Sequence, residues 1–193
     1  MVDTLLLQEI SSLATLRPSP KTNEAFSRLV AFCLTAEEKD ITLQSDDITK
    51  LQNLSSIAES EMETYWARRI ITSKKYSEEL HYFWYYSNYT ELTELEYTHA
   101  SSIKKTIKKI LFIGGGPFPL TSILLCQKYG LTCTILERDK AASNLAMELI
   151  ATLGLSVQIS IETIDALEYR NYNNFDLIYV AALVGSTPAI KDT

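Results

Sequence analysis

Apolar residues in the first hundred positions recur every three to four residues, which is the spacing of one face of an α-helix. This pattern predicts a first helix, a second helix that Ser19 caps and Pro20 begins, and a long helix over about residues 46–71. The first helix is marked by Leu6, Ile10 and Leu13, and the apolar face of the second by Phe26, Leu29, Val30, Cys33 and Leu34. Seven of the 11 tyrosines and both tryptophans then lie between residues 65 and 97. We therefore expect residues 1–106 to form an N-terminal helical domain.

From Lys108 onward, short apolar runs alternate with helical segments. The predicted strands are 110–113, 131–136, 156–161 and 176–182, and the predicted helices are 120–129, 140–152 and a short one near 166–169. Strands that are apolar on both faces and alternate with helices are typical of a parallel, doubly wound sheet. We expect residues 107–193 to form an α/β domain with a Rossmann-like sheet of order 3-2-1-4.

Composition and charge limit the classes of protein to which this chain can belong. With 46% apolar and 22% charged residues, the chain has the composition of a folded protein. A net charge of −6 makes a nucleic-acid partner improbable. The basic cluster at residues 104–109 is interpreted as a solvated helix end, with the binding of a substrate carboxylate as a minor alternative. The start of the chain has no basic region and no long apolar run, so we expect no secretory signal, and the longest apolar run, 177–184, is too short for a membrane span. We expect a cytoplasmic protein with no membrane partner.

The sequence offers little for a metal site. Its three cysteines form no CxxC pair, and it has only two histidines. The cysteines lie among apolar residues, so all three are expected to be buried and to pack as small apolar side chains.

A glycine-rich turn follows the first predicted strand and opens a helix. It consists of Gly114, Gly115, Gly116 and Pro117. Glycines allow a tight turn and the close approach of a ligand, and the helix N-terminus adds unpaired N–H groups. Glu137 ends the second strand, where an acidic residue can accept hydrogen bonds from ribose hydroxyls, and Asp165 follows the third strand, where it can hold an adenine amino group. NAD and S-adenosylmethionine (SAM) sites share this arrangement. Pro119, in place of the third glycine of GxGxxG, makes NAD the weaker candidate.

Five segments of the chain resemble the nicotianamine synthase family and the related bacterial opine-metallophore synthases. They are PSPKTNEAF at 18–26, AESEME at 58–63, YYSNY at 85–89 with LEY at 95–97, FIGGGPFPLTS at 112–122, and AALVG at 181–185. The segments occur in the family's order along nearly the whole chain. The resemblance implies a helical domain followed by a SAM-binding sheet.

The resemblance also implies a reaction. Family members transfer the 3-amino-3-carboxypropyl group of SAM to an amine and release methylthioadenosine, and their product is a metal chelator made without a catalytic metal. It assigns Glu63 as the base, with Glu59 as the second candidate, and Tyr89 as the group that orients the nucleophile. It places SAM on the glycine turn, Glu137, Asp165 and Ala181. Two carboxylates four residues apart on one helical face raise the pKa of one of them, which suits a base.

The end of the chain departs from the family pattern. Family members continue past AALVG with further strands and helices, whereas this chain stops at Thr193. We therefore expect a sheet that is incomplete after its fourth strand, or a partner that covers that strand, and a homodimer remains open. Three alternatives to a nicotianamine-type transferase also remain. They are a single-transfer opine-metallophore synthase, a SAM-dependent methyltransferase, and a SAM-binding fragment without activity.

Overall fold

The computed structural model describes residues 2–182. Its helices are α1 (Val2–Ser11), α2 (Pro20–Thr35), α3 (Ser45–Thr72), α4 (Tyr76–His81), α5 (Tyr86–Ile103), α6 (Leu120–Tyr129) and α7 (Lys140–Thr152). Its strands are β1 (Lys109–Ile113), β2 (Thr132–Leu136), β3 (Ile159–Glu162) and β4 (Leu177–Val180). Short 3-10 helices lie at Glu38–Asp40, Ala166–Glu168 and Tyr172–Asn174.

The chain divides into two compact units, Met1–Tyr65 and Trp66–Thr193. The division falls inside α3, whereas the domain boundary predicted at residues 106/107 lies where the helices give way to the sheet. That domain assignment stays a prediction.

The first unit is built around α1 and α2. Ile10, Ala25 and Leu29 form its buried cluster, against which Leu51 and Leu54 of α3 pack. The predicted start of α2 is confirmed: Pro20 is its first residue, and the Ser19 hydroxyl accepts a hydrogen bond from the Thr22 N–H at 3.1 Å.

The predicted apolar face of α2 is only partly right. Leu29 is buried and Phe26 half-buried, but Val30 and Leu34 are exposed, the latter by 81%. Each helical residue turns the side chain by about 100°, so Val30 and Leu34 point well away from the direction of Leu29. Cys33 lies in the last turn of α2 and is also exposed, so the expectation that all three cysteines are buried is wrong for this residue.

A buried carboxylate ties α1 to the segment before α3. Asp3 is 2% exposed and accepts hydrogen bonds from the Thr42 N–H, the Leu43 N–H at 3.0 Å and the Thr42 hydroxyl at 2.8 Å. Burial by itself would raise the pKa of Asp3, but the hydrogen bonds from Thr42 and Thr4 outweigh it and hold that pKa well below its ordinary value of 3.8.

The second unit contains the parallel sheet, in the predicted order β3-β2-β1-β4. Strand β1 lies in the centre and is buried from Ile110 to Ile113. Helices α6 and α7 begin and end at the predicted residues. Cys126 and Cys133 are buried, as expected, and burial raises the pKa of Cys126 to about 12 and that of Cys133 to about 11.

Three strands are shorter than predicted, of which β2 begins only one residue late, at Thr132. Residues 156–158 form a turn closed by the Gln158 N–H on the Leu155 carbonyl, so β3 begins only at Ile159. Strand β4 covers Leu177–Val180 instead of the predicted 176–182. Asp176, just before it, donates its N–H to the Lys109 carbonyl at 2.8 Å, and its carboxylate accepts the N–H groups of Lys108 and Lys109. Within the described part of the chain, β4 is an edge strand, as the strand order implies.

Replacing Asp3 with alanine should lower the free energy of unfolding by about 1–3 kcal/mol near neutral pH, because the N–H groups of Thr42 and Leu43 lose their acceptor. Urea denaturation followed by circular dichroism measures the change. Glu24→Gln, at an exposed position of α2, is the matched control and should leave stability unchanged within about 0.5 kcal/mol.

The contribution of Asp3 to the free energy of unfolding should also depend on pH. A carboxyl group with a lowered pKa contributes stability above its ordinary pKa, and this contribution is lost as the pH falls below 3.8. The stability difference between the wild type and Asp3→Asn should therefore shrink as the pH is lowered from about 5 to about 2. A difference that stays constant over that range contradicts this role of Asp3.

Candidate functional site

The glycine turn joins β1 to α6. Its glycines meet two requirements, a backbone conformation with positive φ and close packing against β2. Gly114 and Gly116 have φ values of 82° and 59°, in the region that L-residues with side chains rarely adopt. Gly115 faces β2, where an added Cβ would lie 2.3 Å from Cγ2 of Ile135. The Gly114 N–H donates to the Leu136 carbonyl at 2.9 Å, which extends the pairing of β1 with β2 into the turn.

Glu137 connects this turn to the end of β2. Its carboxylate is buried, with the residue only 9% exposed, and each oxygen accepts one backbone N–H: Oε2 from Gly116 and Oε1 from Asp139, both at 2.8 Å. A carboxylate offers about four acceptor positions, so two remain for a ligand. The side chain therefore shapes the turn and retains hydrogen-bonding capacity.

The predicted binding residues lie together at the carboxyl ends of the four strands. The glycine turn follows β1, Glu137 follows β2, and Ala181 follows β4, with its N–H on the Ile113 carbonyl at 3.0 Å. Asp165 comes three residues after β3 and caps the 3-10 helix Ala166–Glu168 through the Leu167 N–H at 2.9 Å. Ligands of open α/β sheets bind at this edge. Residues 183–185 of the AALVG segment lie outside the described residues.

The start of α6 adds a polar feature to the same edge. Pro117 is buried, and no side chain caps the helix at Pro119. The first N–H groups of a helix point along its axis and carry a partial positive charge, so they favour the carboxylate or another electron-rich group of a ligand.

An aromatic cluster lies beside the glycine turn. At its centre is Phe83, 3% exposed, whose ring centroid is 5.1 Å from that of Phe118, the residue after the turn. Trp66, Tyr85 and Tyr89 surround Phe83 at centroid distances of 5.6, 5.9 and 6.1 Å. The cluster places the predicted catalytic Tyr89 near the glycine turn at the carboxyl edge of the sheet.

Phe83 was missed by the sequence analysis, although it lies at the hub of this cluster. The available signal was the density of aromatic residues between 65 and 97, which indicates packing but does not distinguish one ring from another. The contact between Phe83 and Phe118 joins positions that are distant in sequence and follows from the fold.

Glu59 and Glu63 lie on α3, one helical turn apart, and both are half-buried. They belong to the first compact unit, whereas the glycine turn and Tyr89 belong to the second. Glu61, between them in sequence, forms an exposed ion pair with Arg17 at 3.2 Å.

Among residues 2–182, no group of three or more His, Cys, Asp or Glu side chains is arranged to hold a metal ion. None of the helices in that range is long and apolar enough to cross a membrane.

Comparison with known proteins decides the family. The family described as nicotianamine synthase protein matches residues 3–193. The chain belongs to the nicotianamine synthase family. The resemblance seen in the five sequence segments is thereby confirmed.

Curated members of the family are similar over nearly the whole of this chain. A nicotianamine synthase of Solanum lycopersicum is 31% identical over 189 residues, which cover 93% of this chain and 60% of the relative. Nicotianamine synthase 2 of Arabidopsis thaliana is 33% identical over 193 residues, with the same coverage. The chain spans about 60% of the length of these relatives.

Solved structures confirm the fold. A variant of MtNAS in complex with S-adenosylmethionine matches with a TM-score of 0.77 at 20% identity, over 95% of this chain and 71% of the other. MtNAS in complex with MTA and tNA matches with a TM-score of 0.76 at 22% identity, over 95% and 72%. The helices followed by a Rossmann-like parallel sheet are thus the family fold.

Gly115→Ala should destabilise the second unit by about 1–3 kcal/mol, because the new Cβ overlaps with Ile135. A double-mutant cycle with Ile135→Ala, followed by thermal or urea unfolding, tests the cause. Removing the obstructing Cγ2 should make the double variant more stable than the sum of the two single effects by at least about 0.5 kcal/mol.

Gly154→Ala is the matched control for this cycle. Its φ is 71° and nothing lies within 4 Å of an added Cβ, so its cost comes from backbone strain alone. Its effect should add to that of Ile135→Ala. Additive effects for Gly115→Ala as well would show that the overlap with Ile135 is not what requires glycine.

Proposed function

We propose that this chain binds SAM at the carboxyl edge of its sheet and transfers the 3-amino-3-carboxypropyl group to an amine acceptor, as a nicotianamine synthase-type transferase. Methylthioadenosine is the second product. The observation that carries the proposal is the pair of turns joined by Glu137, in a chain that belongs to the nicotianamine synthase family. SAM bound to MtNAS, a protein of the same fold, is consistent with it.

The nucleoside half of SAM fits the acceptors at this edge. The two remaining acceptor positions of Glu137 suit the two ribose hydroxyls, each of which is a donor. Asp165 uses Oδ1 to cap its 3-10 helix, which leaves Oδ2, 4.0 Å from Nη1 of Arg138, to accept from the adenine amino group. The glycine turn, formed by Gly114, Gly115, Gly116 and Pro117, lets the ligand approach the backbone. Ala181 follows β4 and lies at the same edge of the sheet.

The transfer is a displacement at carbon. The lone pair of the acceptor amine forms a bond to the γ-carbon of the methionyl chain, and the bond from that carbon to the sulfonium breaks. The bonding electrons go to sulfur, so the positive charge disappears and neutral methylthioadenosine leaves. Before the displacement, the aromatic faces of Tyr85 and Tyr89 attract the sulfonium by about 0.5–2 kcal/mol.

The acceptor amine must lose a proton before it can attack. An amine is protonated near neutral pH, so a carboxylate has to hold the ammonium and remove one proton. We assign this role to Glu63, with Glu59 one turn away on α3 as the second candidate. Tyr89 orients the nucleophile through its hydroxyl.

Several finer points belong to the same proposal. The product is a metallophore that chelates metal after release, and no metal takes part in the transfer. The protein acts in the cytoplasm on small molecules.

Glu137→Gln should weaken SAM binding by about 10- to 100-fold, because the amide offers fewer acceptor positions to the ribose and no charge. Isothermal titration calorimetry with SAM measures the dissociation constant. Glu148→Gln, at an exposed position of α7, should leave it unchanged. Equal affinity in the wild type and Glu137→Gln contradicts the ribose contact.

Glu63→Gln should lower the rate of methylthioadenosine formation by at least about 100-fold while SAM affinity changes less than about twofold. The protein is incubated with SAM and amino-acid acceptors, and the nucleosides are separated by chromatography with mass spectrometry. Glu61→Gln, on the same helix, is the control and should retain activity.

The other outcomes of this experiment are informative. A product heavier than its acceptor by one aminocarboxypropyl unit indicates the single-transfer opine-metallophore reaction, and several units indicate the nicotianamine-type reaction. If SAM binds but neither methylthioadenosine nor S-adenosylhomocysteine is formed, the result contradicts catalysis by this chain. Full activity in Glu63→Gln contradicts the assigned base.

A further inference from the structure

A basic cavity lies at the amino ends of the strands, opposite the edge that carries the glycine turn. It has a volume of about 560 Å³ and is lined by Lys105, Lys108, Lys109, Tyr97, Tyr129 and Thr132, among others. Lys109 begins β1 and Thr132 begins β2, whereas Gly114 and Glu137 follow the other ends of these strands. At about 3.3 Å per residue, the five-residue strands separate the two regions by more than 10 Å.

The rim of the cavity is held in place by backbone hydrogen bonds. Asp176 accepts the N–H groups of Lys108 and Lys109, both at 2.9 Å. The Lys108 carbonyl accepts the Thr132 N–H at 2.9 Å, and Ile107 beside it is 6% exposed. The lysines are therefore attached to a fixed backbone and not to a flexible linker. Less conformational entropy is lost when a ligand binds.

The charges around the cavity do not balance. Lys104 pairs with Asp176 at 2.7 Å and Lys128 pairs with Glu94 at 2.9 Å. The ammonium groups of Lys105, Lys108 and Lys109 have no ion-pair partner within the described part of the chain. Three lysines without an ion-pair partner in the described part of the chain thus line one cavity, in a chain whose net charge is −6.

Two stacked tyrosines form another part of the wall. The rings of Tyr97 and Tyr129 are 3.8 Å apart between centroids and inclined by 20°. Both residues are half-buried, and the Lys128 ammonium lies 5.7 Å from the centroid of the Tyr129 ring, so the partly exposed parts of the two rings lie beside the lysines. A phosphate chain on the lysines and a planar base near the tyrosines would both find suitable contacts.

We propose that this cavity binds a small polyphosphate anion, either free or carried by a nucleotide. The charges of the three lining lysines match a ligand with several negative charges, and the size of the cavity matches a short one. A long polyanion is disfavoured, because it would extend over the acidic remainder of the surface. The site is separate from the SAM edge and does not depend on the proposed transferase function.

The test uses the full chain and isothermal titration calorimetry with two probes, tripolyphosphate and ATP, in buffer of low ionic strength. Binding of tripolyphosphate should weaken at least about tenfold in the double variant Lys105→Gln, Lys108→Gln, because two of the three charges are removed. Lys50→Gln, at an exposed position of α3, should bind as the wild type does. Circular dichroism verifies that each variant is folded.

The two probes distinguish the sources of the phosphate. Equal affinity for both indicates recognition of the phosphate chain alone, and tighter binding of ATP that is lost in Tyr129→Leu indicates a nucleotide. Saturating SAM should not displace the ligand, because the regions lie at opposite ends of the strands. Binding of neither probe, equal affinity in the double-lysine variant, or displacement by SAM overturns the proposal.

Discussion

The two hydrogen bonds that Glu137 accepts from backbone N–H groups are the interaction on which the candidate site depends. One fixes the turn after β1 at Gly116 and the other fixes the turn after β2 at Asp139. Hydrogen bonds to a charged acceptor are stronger than those between neutral groups, and a buried carboxylate without them would be costly. The same side chain therefore stabilises the two turns and presents the remaining acceptor positions toward the carboxyl edge of the sheet.

The second unit supports these turns from both sides. On one side, the absence of a side chain at Gly115 lets the turn pack closely against Ile135 of β2. Beside it, Phe118 packs edge-on against Phe83, and aromatic pairs of this kind contribute about 0.5–1.5 kcal/mol beyond the burial of their surface. Phe83 thus links Tyr89 on α5 to the residue that follows the glycine turn.

Much of the fold follows from local signals, and the exceptions have physical reasons. Helices α6 and α7 agree with prediction because Gly130 ends one in the left-handed conformation and Asp139 caps the other. The exposed side of α2 was not predictable from spacing alone, because it depends on which element packs against the helix. The late start of β3 was not predictable either, because it depends on a turn that replaces strand pairing. For the site, the residues at the strand ends could be located from the sequence, but the hub at Phe83 required the fold. The roles of Glu59 and Glu63 remain predictions that came from the resemblance.

The fate of the methyl group tests the account most directly. SAM labelled with carbon-13 in its methyl group is incubated with the protein and an amino-acid acceptor, and the label is followed by NMR. Transfer of the aminocarboxypropyl group leaves the methyl on sulfur, so the account predicts that the label appears in methylthioadenosine and that the acceptor product carries none. Label on the acceptor, with unlabelled S-adenosylhomocysteine as the nucleoside, would identify a methyltransferase and contradict the account.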